Sequence, residues 1–260
     1  MQALPSILIT GAARGIGLAT ARYFLDRGWF VGLYDLDEEE LDCVTHAFPA
    51  GRYCTGYMDV TKPQSIKLAL ERFTAITDNR LDVLVNNAGM IRVGDFDQTP
   101  LEEYQQMVAV NLQGPINCLY QALPWLIRTP HSRVVNMCSA SAIYGNPELT
   151  VYAATKSAIQ SLTEGWRLGL EKYDIHVAAV LPIYVKTRMV TDYVHQYRGL
   201  SEEDVSLTTE DIAVTIWKAV TGKKKTLWLV GRKTRLFHAL RPFLPDRLAR
   251  WLTKRELNYV

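Results

Sequence analysis

The amino-acid sequence predicts an α/β fold with a single doubly wound, seven-stranded parallel sheet and helices on both of its faces. Short β-branched runs alternate with longer segments of helical periodicity, which is typical of repeated βα units. Two strand-like runs, residues 83–85 and 177–181, lack polar alternation, as expected where helices cover both faces of a sheet. A chain of 260 residues that is 48% hydrophobic and 22% charged suits one domain of this kind.

The elements follow each other without an interdomain linker, an internal repeat or a low-complexity segment. The predicted strands are residues 6–10, 30–35, 53–59, 83–86, 133–137, 176–181 and 227–230. The main predicted helices are residues 15–26, 64–76, 101–126, 152–173 and 210–221. Residues 1–231 therefore form one predicted domain, and residues 232–260 form a basic amphipathic C-terminal extension.

A glycine-rich turn follows the first strand and opens the first helix. It reads Thr-Gly-Ala-Ala-Arg-Gly-Ile-Gly over residues 10–17. At such a place a pyrophosphate meets exposed N–H groups and the positive end of a helix, and glycine lets the backbone come close. The turn predicts a Rossmann-type dinucleotide site with these members: Gly11, Arg14, Gly15, Ile16 and Gly17.

The residue at the end of the second strand indicates which dinucleotide binds. Asp35 lies 18 residues beyond Gly17, where an acid accepts hydrogen bonds from the adenosine ribose and repels a 2′-phosphate. Leu36 brings no cation to offset that charge, whereas Arg14 beside the glycines is a contrary signal. We therefore expect NAD as the cofactor, with NADP as the less favoured alternative.

Tyr152 and Lys156 are four residues apart in a predicted helix and so share one helix face. Hydride transfer to or from a carbonyl carbon also needs a proton delivered to, or removed from, the oxygen. A phenol beside an ammonium group suits that task, since the positive charge favours phenolate. Ser139 follows a buried strand at the carboxyl edge of the sheet, where open α/β folds place ligands, and Ser141 is a nearby alternative hydroxyl.

Asn111 interrupts an apolar helical stretch with a side-chain amide. A buried amide needs partners, so it either caps a local distortion of the backbone or holds water behind the active site. The residues alone leave both interpretations open.

Taken together, these motifs resemble the short-form group of the short-chain dehydrogenase/reductase family. The resemblance rests on T-G-x-x-x-G-x-G at residues 10–17, Asp59-Val60, Asn-Asn-Ala-Gly at residues 86–89 and Y-x-x-x-K at residues 152–156, and it covers residues 4 to 231. It implies an enzyme that interconverts an alcohol and a ketone or aldehyde with NAD or NADP. A non-catalytic dinucleotide sensor or tethering protein is the alternative.

The resemblance also implies a role for each matching residue. Ser139 would bind the substrate oxygen, Tyr152 would act as acid or base, Lys156 would hold the ribose and tune Tyr152, and Asn111 would hold a water for proton relay. The cofactor would be bordered by residues at the ends of the central strands: Asp59, Val60, Asn87, Ala88, Gly89, Pro182, Val185 and Thr187. Ile183 departs from the pattern because the family has glycine there, which puts the local backbone shape in doubt.

Apolar residues are expected around the substrate. One wall is Ile143, Tyr144 and Leu149, and the other is a lid within residues 188–209 whose apolar face is Met189, Val190, Tyr193, Val194 and Tyr197. This lining favours a steroid, retinoid, fatty or aromatic alcohol over a sugar.

Charge is unevenly distributed along the chain. Residues 223–260 contain eleven Lys and Arg against two acids, whereas eighteen basic and twenty-five acidic residues precede them. The extension keeps an apolar stripe at helical spacing, broken by Pro242 and Pro245. It packs either on the enzyme body or a neighbouring subunit, or on an anionic membrane. Nucleic-acid binding is not expected, because the chain has no recognition module.

The remaining composition argues against several other classes of protein. Cys43, Cys54, Cys118 and Cys138 lack metal-ligand or disulfide spacing, so neither a zinc site nor a disulfide framework is expected. No apolar run is long enough to span a bilayer, and the first strand begins too early for a signal peptide. We expect a cytoplasmic homodimer or homotetramer, the oligomer being implied by the resemblance.

Overall fold

The computed structural model describes residues 4–193 and 205–256. Seven parallel strands form one sheet in the order β3-β2-β1-β4-β5-β6-β7, which confirms the predicted architecture. The strands are β1 (Ser6–Thr10), β2 (Phe30–Asp35), β3 (Tyr53–Tyr57), β4 (Val83–Asn86), β5 (Arg133–Met137), β6 (His176–Leu181) and β7 (Leu227–Leu229). The prediction for β3 was two residues too long, because the Asp59 N–H donates to Ser65 Oγ at 2.9 Å instead of continuing the ladder.

The helices follow the predicted order, with differences at three places. They are α1 (Gly15–Leu25), α2 (Glu38–Thr45), α3 (Pro63–Ile76), α4 (Leu101–Val108), α5 (Gly114–Arg128), α6 (Thr150–Gly169), α7 (Arg188–Thr191), α8 (Thr209–Thr221), α9 (Arg232–Leu240) and α10 (Asp246–Glu256). The single helix predicted for residues 101–126 is wrong, because a π-helical segment, Ala109–Gln113, separates α4 from α5. The helix predicted for residues 152–173 begins earlier and ends at Gly169, and α2 was not predicted.

The two faces of the sheet have separate cores. Alternate strand residues such as Ile7 and Ile9 pack against α1 and α8, whereas Leu8 packs against α3 and α5 on the other face. All five residues of β1 are buried. Burial of both faces explains why these strands show no polar alternation.

The parallel register brings the carboxyl ends of the strands to one edge. Thr10 pairs with Tyr34, Asn86 with Asn136, and Met137 with Val180. The chain also changes direction between β1 and β4, because the strands numbered 2 and 3 lie on one side of β1 and the later strands on the other. Ligands of open α/β folds bind at such a switch point.

Over residues 232–256, the C-terminal extension contains α9, a 3₁₀ turn at Arg241–Phe243 and α10. Pro242 lies within that turn and Pro245 directly precedes α10, which are the two places where the sequence predicts a break. The ring of Phe237 contacts the ring of Tyr144, with 5.3 Å between centroids. Within residues 4–193 and 205–256, every helix is too short or too polar to cross a bilayer.

Candidate active site

The three glycines of the first turn are required for different reasons. A Cβ on Gly11 would lie 2.8 Å from Ala88 Cα, and one on Gly17 would collide with the carbonyl oxygen of Gly11. These two positions therefore permit close packing of backbone on backbone. Gly15 has φ +56°, and its Cβ would face Thr187 Cγ2 at 3.6 Å. Gly15 thus leaves open the gap between the start of α1 and the segment after β6.

Asn87 holds the glycine turn in place. Its side-chain amide donates to the carbonyl oxygens of Thr10 at 2.9 Å and Gly11 at 2.8 Å. The Thr10 hydroxyl accepts the N–H groups of Asn87 at 3.1 Å and Ala88 at 3.0 Å. Asn87 and Ala88 therefore brace the turn from β4. The bracing role of Thr10 was not predicted, although Thr10 is the first residue of the quoted motif.

Asp35 lies beside the glycine turn with both carboxylate oxygens engaged. One accepts the Ala13 N–H at 2.9 Å, and the other accepts the Asp37 N–H at 3.3 Å. The guanidinium of Arg14 forms an ion pair with Asp37. Asp37 was not predicted for this site, although its place before three consecutive glutamates is typical of a helix N-cap, and it does cap α2. Arg14 is therefore already paired with a carboxylate.

Asp59 and Val60 follow β3 at the same edge. Asp59 accepts the N–H and the hydroxyl of Thr61 at 2.9 and 2.7 Å and lies 3.5 Å from the ammonium of Lys62. Burial opposes ionisation of Asp59, but these partners outweigh it and lower its pKa below the ordinary value. Val60 is buried, and its carbonyl oxygen accepts the Asn117 amide at 3.2 Å.

Ser139, Tyr152 and Lys156 come together where β5 meets α6. Lys156 Nζ lies 5.6 Å from the centre of the Tyr152 ring, and the Ser139 side chain is close enough to the phenol to lower its pKa. Ser139 also caps the following 3₁₀ turn by accepting the Ser141 N–H at 3.2 Å. Lys156 is buried and donates to the carbonyl oxygen of Met137 at 2.9 Å.

The acidity of the phenol differs from the expectation. Burial raises the pKa of Tyr152 to about 12, although the neighbouring Ser139 side chain lowers it. Burial also lowers the pKa of Lys156, although the nearby Cys138 thiol opposes that change. The sequence analysis predicted that the ammonium group lowers the pKa of the phenol. In the structure, removal of the phenol from water has the larger effect and raises that pKa. Cys138, whose Sγ lies 3.1 Å from the Lys156 carbonyl oxygen, was not predicted as a neighbour.

Asn111 lies in the π-helical segment and is buried. Its amide forms two hydrogen bonds with the backbone of Met90, both at 2.8 Å, and a longer one of 3.4 Å to the Thr155 hydroxyl. Of the two interpretations left open by the sequence, the distorted backbone is therefore present. A Cβ on Gly89 would lie 3.3 Å from Asn111 Oδ1 and 3.7 Å from Lys156 Nζ. Gly89 therefore lies close to both groups.

The segment after β6 closes the other side of the crevice. The Pro182 carbonyl oxygen accepts the Ala140 N–H at 2.8 Å, which fixes this segment to the turn after Ser139. Val185 is buried and bridges to Leu207, and Thr187 precedes α7. Ile183, in the place of the family's glycine, lies 3.8 Å from the Cβ position of Gly231, where the extension begins.

An apolar cluster borders the phenol. Leu149 is buried among Ile91, Val93, Tyr152 and Tyr184. From the other predicted wall, Tyr193 receives a hydrogen bond of 3.4 Å from Arg92. The predicted lid residues Val194 and Tyr197 lie outside the described residues.

The residues at this edge fit a dinucleotide. Gly15 leaves a gap between the first turn and Thr187, and the half-buried carboxylate of Asp35 ends the second strand beside it. Among the residues that the structure describes, no group of His, Cys, Asp or Glu could hold a metal ion, and the four cysteines are free thiols.

Comparison with known proteins agrees with this geometry. The family model for short chain dehydrogenase matches residues 5–198. A 3-oxoacyl-[acyl-carrier-protein] reductase of Thermotoga maritima is 35% identical over 184 residues, which are 70% of this chain and 74% of that protein.

Two solved structures share the fold. A 3-ketoacyl-(acyl-carrier-protein) reductase of Brucella melitensis complexed with NADH has a TM-score of 0.78 at 22% identity, covering 87% of this chain and 96% of its own. A gluconate 5-dehydrogenase of Burkholderia cenocepacia in complex with NADP and tartrate has a TM-score of 0.75 at 23% identity, covering 89% and 95%.

The fold and the site define a dinucleotide-dependent oxidoreductase. The chain belongs to the short-chain dehydrogenase/reductase family, and its reaction class is the interconversion of CH–OH and carbonyl groups with NAD or NADP.

Proposed function

We propose that this enzyme interconverts an apolar alcohol and the corresponding ketone or aldehyde, with Tyr152 as the acid and base. The observation that carries the proposal is the position of the Lys156 ammonium, 5.6 Å from the centre of the Tyr152 ring, with the Ser139 side chain next to the phenol. A non-catalytic dinucleotide sensor would need neither the half-buried phenol nor the buried ammonium, and removing the ammonium from water costs free energy. We therefore do not favour that alternative.

Each of the three residues has a separate task at the reacting oxygen. A bound nicotinamide supplies the hydride in reduction and accepts it in oxidation. Tyr152 donates its phenolic proton to the carbonyl oxygen in reduction and takes the alcohol proton in oxidation. The Ser139 hydroxyl donates a hydrogen bond to the same oxygen, and the Lys156 ammonium stabilises the phenolate that reduction leaves behind. Asn111 holds Met90 and Thr155 in place around this group.

NAD is the proposed cofactor. The N–H groups of Ala13 and Asp37 orient the Asp35 carboxylate, which would present a fixed negative charge to the adenosine ribose of a bound cofactor. Arg14, the cation that could have served a 2′-phosphate, is paired with Asp37. Structures of similar fold were solved with NADH in one protein and NADP in another, so the argument for NAD rests on these residues.

The apolar cluster beside Tyr152 supports the choice of substrate. Ile91, Val93, Leu149 and Tyr184 offer aliphatic and aromatic surface to the reacting group. Burial of apolar area against such a wall favours a fatty, aromatic, steroid or retinoid alcohol over a polyol. A homodimer or homotetramer is also part of the proposal, supported by the exposed apolar side chains of Ile116 and Tyr120 on α5.

The test is Tyr152→Phe, with Tyr104→Phe as the matched control. Tyr104 carries a phenol as well, but its hydroxyl donates to the Phe96 carbonyl oxygen at 3.3 Å. Tyr152→Phe should keep NADH affinity and lower turnover by about 10² to 10⁴. The control should match the wild type in both readings. The assay follows NADH absorbance with a panel of apolar alcohols and ketones, and full activity of Tyr152→Phe would remove Tyr152 from the mechanism.

The pH dependence of the reaction rate provides a second test. Because burial holds the pKa of Tyr152 near 12, the phenol stays protonated at neutral pH and phenolate becomes more abundant as pH rises. Oxidation of the alcohol should therefore accelerate with rising pH. Lys156→Met should displace this rise to higher pH while the protein stays folded.

A further inference from the structure

The C-terminal extension exposes large apolar side chains that no described residue covers. Phe243 is 83% exposed, Leu236 is 61% exposed and Trp251 is 53% exposed. Leu240 and Leu248 are also exposed. We call these five side chains the tail surface. Packing on the described part of the enzyme's own body, one of the interpretations left open by the sequence, leaves these side chains exposed.

Cations flank the tail surface. Arg235, Arg247 and Arg250 are exposed, and none of them forms an ion pair within residues 4–193 and 205–256. The guanidinium of Arg255 lies 5.4 Å from the centre of the Trp251 ring. Against these cations, the described side chains of α9 and α10 include one acid, Asp246.

A cavity joins these cations to the body of the enzyme. It has a volume of about 430 Å³, and Arg241, Arg250 and Lys254 line it together with Tyr144 and Pro147. Asp246 also contributes to the wall, so the positive charges exceed the negative one. Arginine binds phosphate through paired N–H groups. A cavity with more positive than negative lining residues therefore lies beside the apolar side chains.

The charge pattern opposes a contact between two tail surfaces and favours an anionic partner. A symmetric contact between two copies would bring two cationic surfaces together, which repulsion opposes. An anionic bilayer satisfies both features, because aromatic and aliphatic side chains enter the boundary of head groups and acyl chains while arginines stay at the phosphates.

We propose that the tail surface docks this enzyme on a bilayer that contains anionic phospholipid. The Phe237 ring rests on Tyr144 in the turn that follows Ser139, so docking brings the mouth of the active site close to the lipid. Apolar substrates dissolved in the bilayer would then reach the site without crossing water. This last consequence rests on the proposed function, whereas the docking itself does not.

The experiment is co-sedimentation of the full chain with vesicles, which requires no substrate. One set is phosphatidylcholine alone and the other is an equal mixture with phosphatidylglycerol. The apolar test variant is Phe243→Ser/Trp251→Ser, and its control is Leu68→Ser/Ile76→Ser, two exposed apolar residues on α3. The wild type and the control should bind the mixed vesicles, and the test variant should bind at least about tenfold more weakly.

A second pair of variants tests the charges. Arg247→Gln/Arg250→Gln should weaken binding to the mixed vesicles by on the order of fivefold for each cation removed. Its control, Lys67→Gln/Lys172→Gln, removes two exposed cations elsewhere and should bind as the wild type does. Circular dichroism checks that all variants fold.

Three results would overturn the proposal. The first is equal binding of all variants, and the second is no binding to either set of vesicles. The third is a fall in molecular mass of the test variants by sedimentation velocity without a change in vesicle binding, which would make the tail surface a contact between copies. If the wild type binds the vesicles but has no activity towards apolar alcohols and ketones, the result would contradict the proposed function alone.

Discussion

Replacing Asp35 with Asn should change which dinucleotide the enzyme prefers. In the wild type the carboxylate accepts hydrogen bonds from Ala13 and Asp37, and the Asn oxygen can retain one of them. A 2′-phosphate about 4 Å from the carboxylate would be repelled by about 4 kcal/mol at an effective dielectric near 20. Salt and partial exposure reduce this repulsion to roughly 2 kcal/mol, which corresponds to about a 30-fold difference in affinity.

Asp35→Asn should therefore narrow the preference for NADH over NADPH by roughly 30-fold. Adding Asp37→Ala, which releases Arg14 from its ion pair, should shift the preference further towards NADPH by about fivefold, the worth of an exposed ion pair. The control is Asp42→Asn, an exposed carboxylate on α2. Titration of each reduced dinucleotide, followed by its own fluorescence, measures both affinities without a substrate.

An unchanged ratio of the two affinities in Asp35→Asn would refute the electrostatic argument. A parallel loss of both affinities would show instead that Asp35 serves only to hold the glycine turn through Ala13. Either result would also remove the basis for preferring NAD in the proposed function.

Two further predictions concern stability, measured as the free energy of unfolding in urea. Gly17→Ala should lower the free energy of unfolding by about 3 kcal/mol or more, because the added Cβ would meet backbone atoms. Gly165→Ala, at an open position in α6, should raise the free energy of unfolding by about 0.5 to 1 kcal/mol. A small loss of stability in Gly17→Ala would contradict the packing argument. Burial lowers the pKa of His176 to about 4, so the folded chain binds this proton less readily than the unfolded chain does. The free energy of unfolding should decrease by roughly 2 kcal/mol as pH drops from about 6.5 towards 4. His176→Gln should make this decrease smaller. His46→Gln, at an exposed position, should leave the decrease unchanged.

The strands of the sheet could be predicted because strands buried on both faces appear in the sequence as short apolar runs. β1, β2, β4, β5 and β6 have the predicted bounds, since each is a short apolar run that ends at a polar residue or a turn. α2 was missed because most of its residues are polar and only Leu41 and Thr45 are buried. The signal that could have found it is the cap at Asp37 followed by three glutamates in the first turn.

The members of the candidate site could be named from motifs, but their contacts could not. That Lys156 donates to the Met137 carbonyl oxygen depends on how α6 lies against β5, which no local spacing encodes. The raised pKa of Tyr152 has the same origin, because it reflects removal from water rather than the nearest charge. The pairing of Arg14 with Asp37 likewise joins two turns that are 23 residues apart.

The π-helical segment Ala109–Gln113 restricts how many residues can lie between α4 and α5. Each residue turns an α-helix by about 100°, and a π turn accommodates one extra residue. Deleting a single residue here would let the helix run on uninterrupted, but the Asn111 amide would swing away from Met90 and all of α5 would rotate against its neighbours. Between α4 and α5 the protein can therefore exchange one side chain for another far more easily than it can gain or lose a residue.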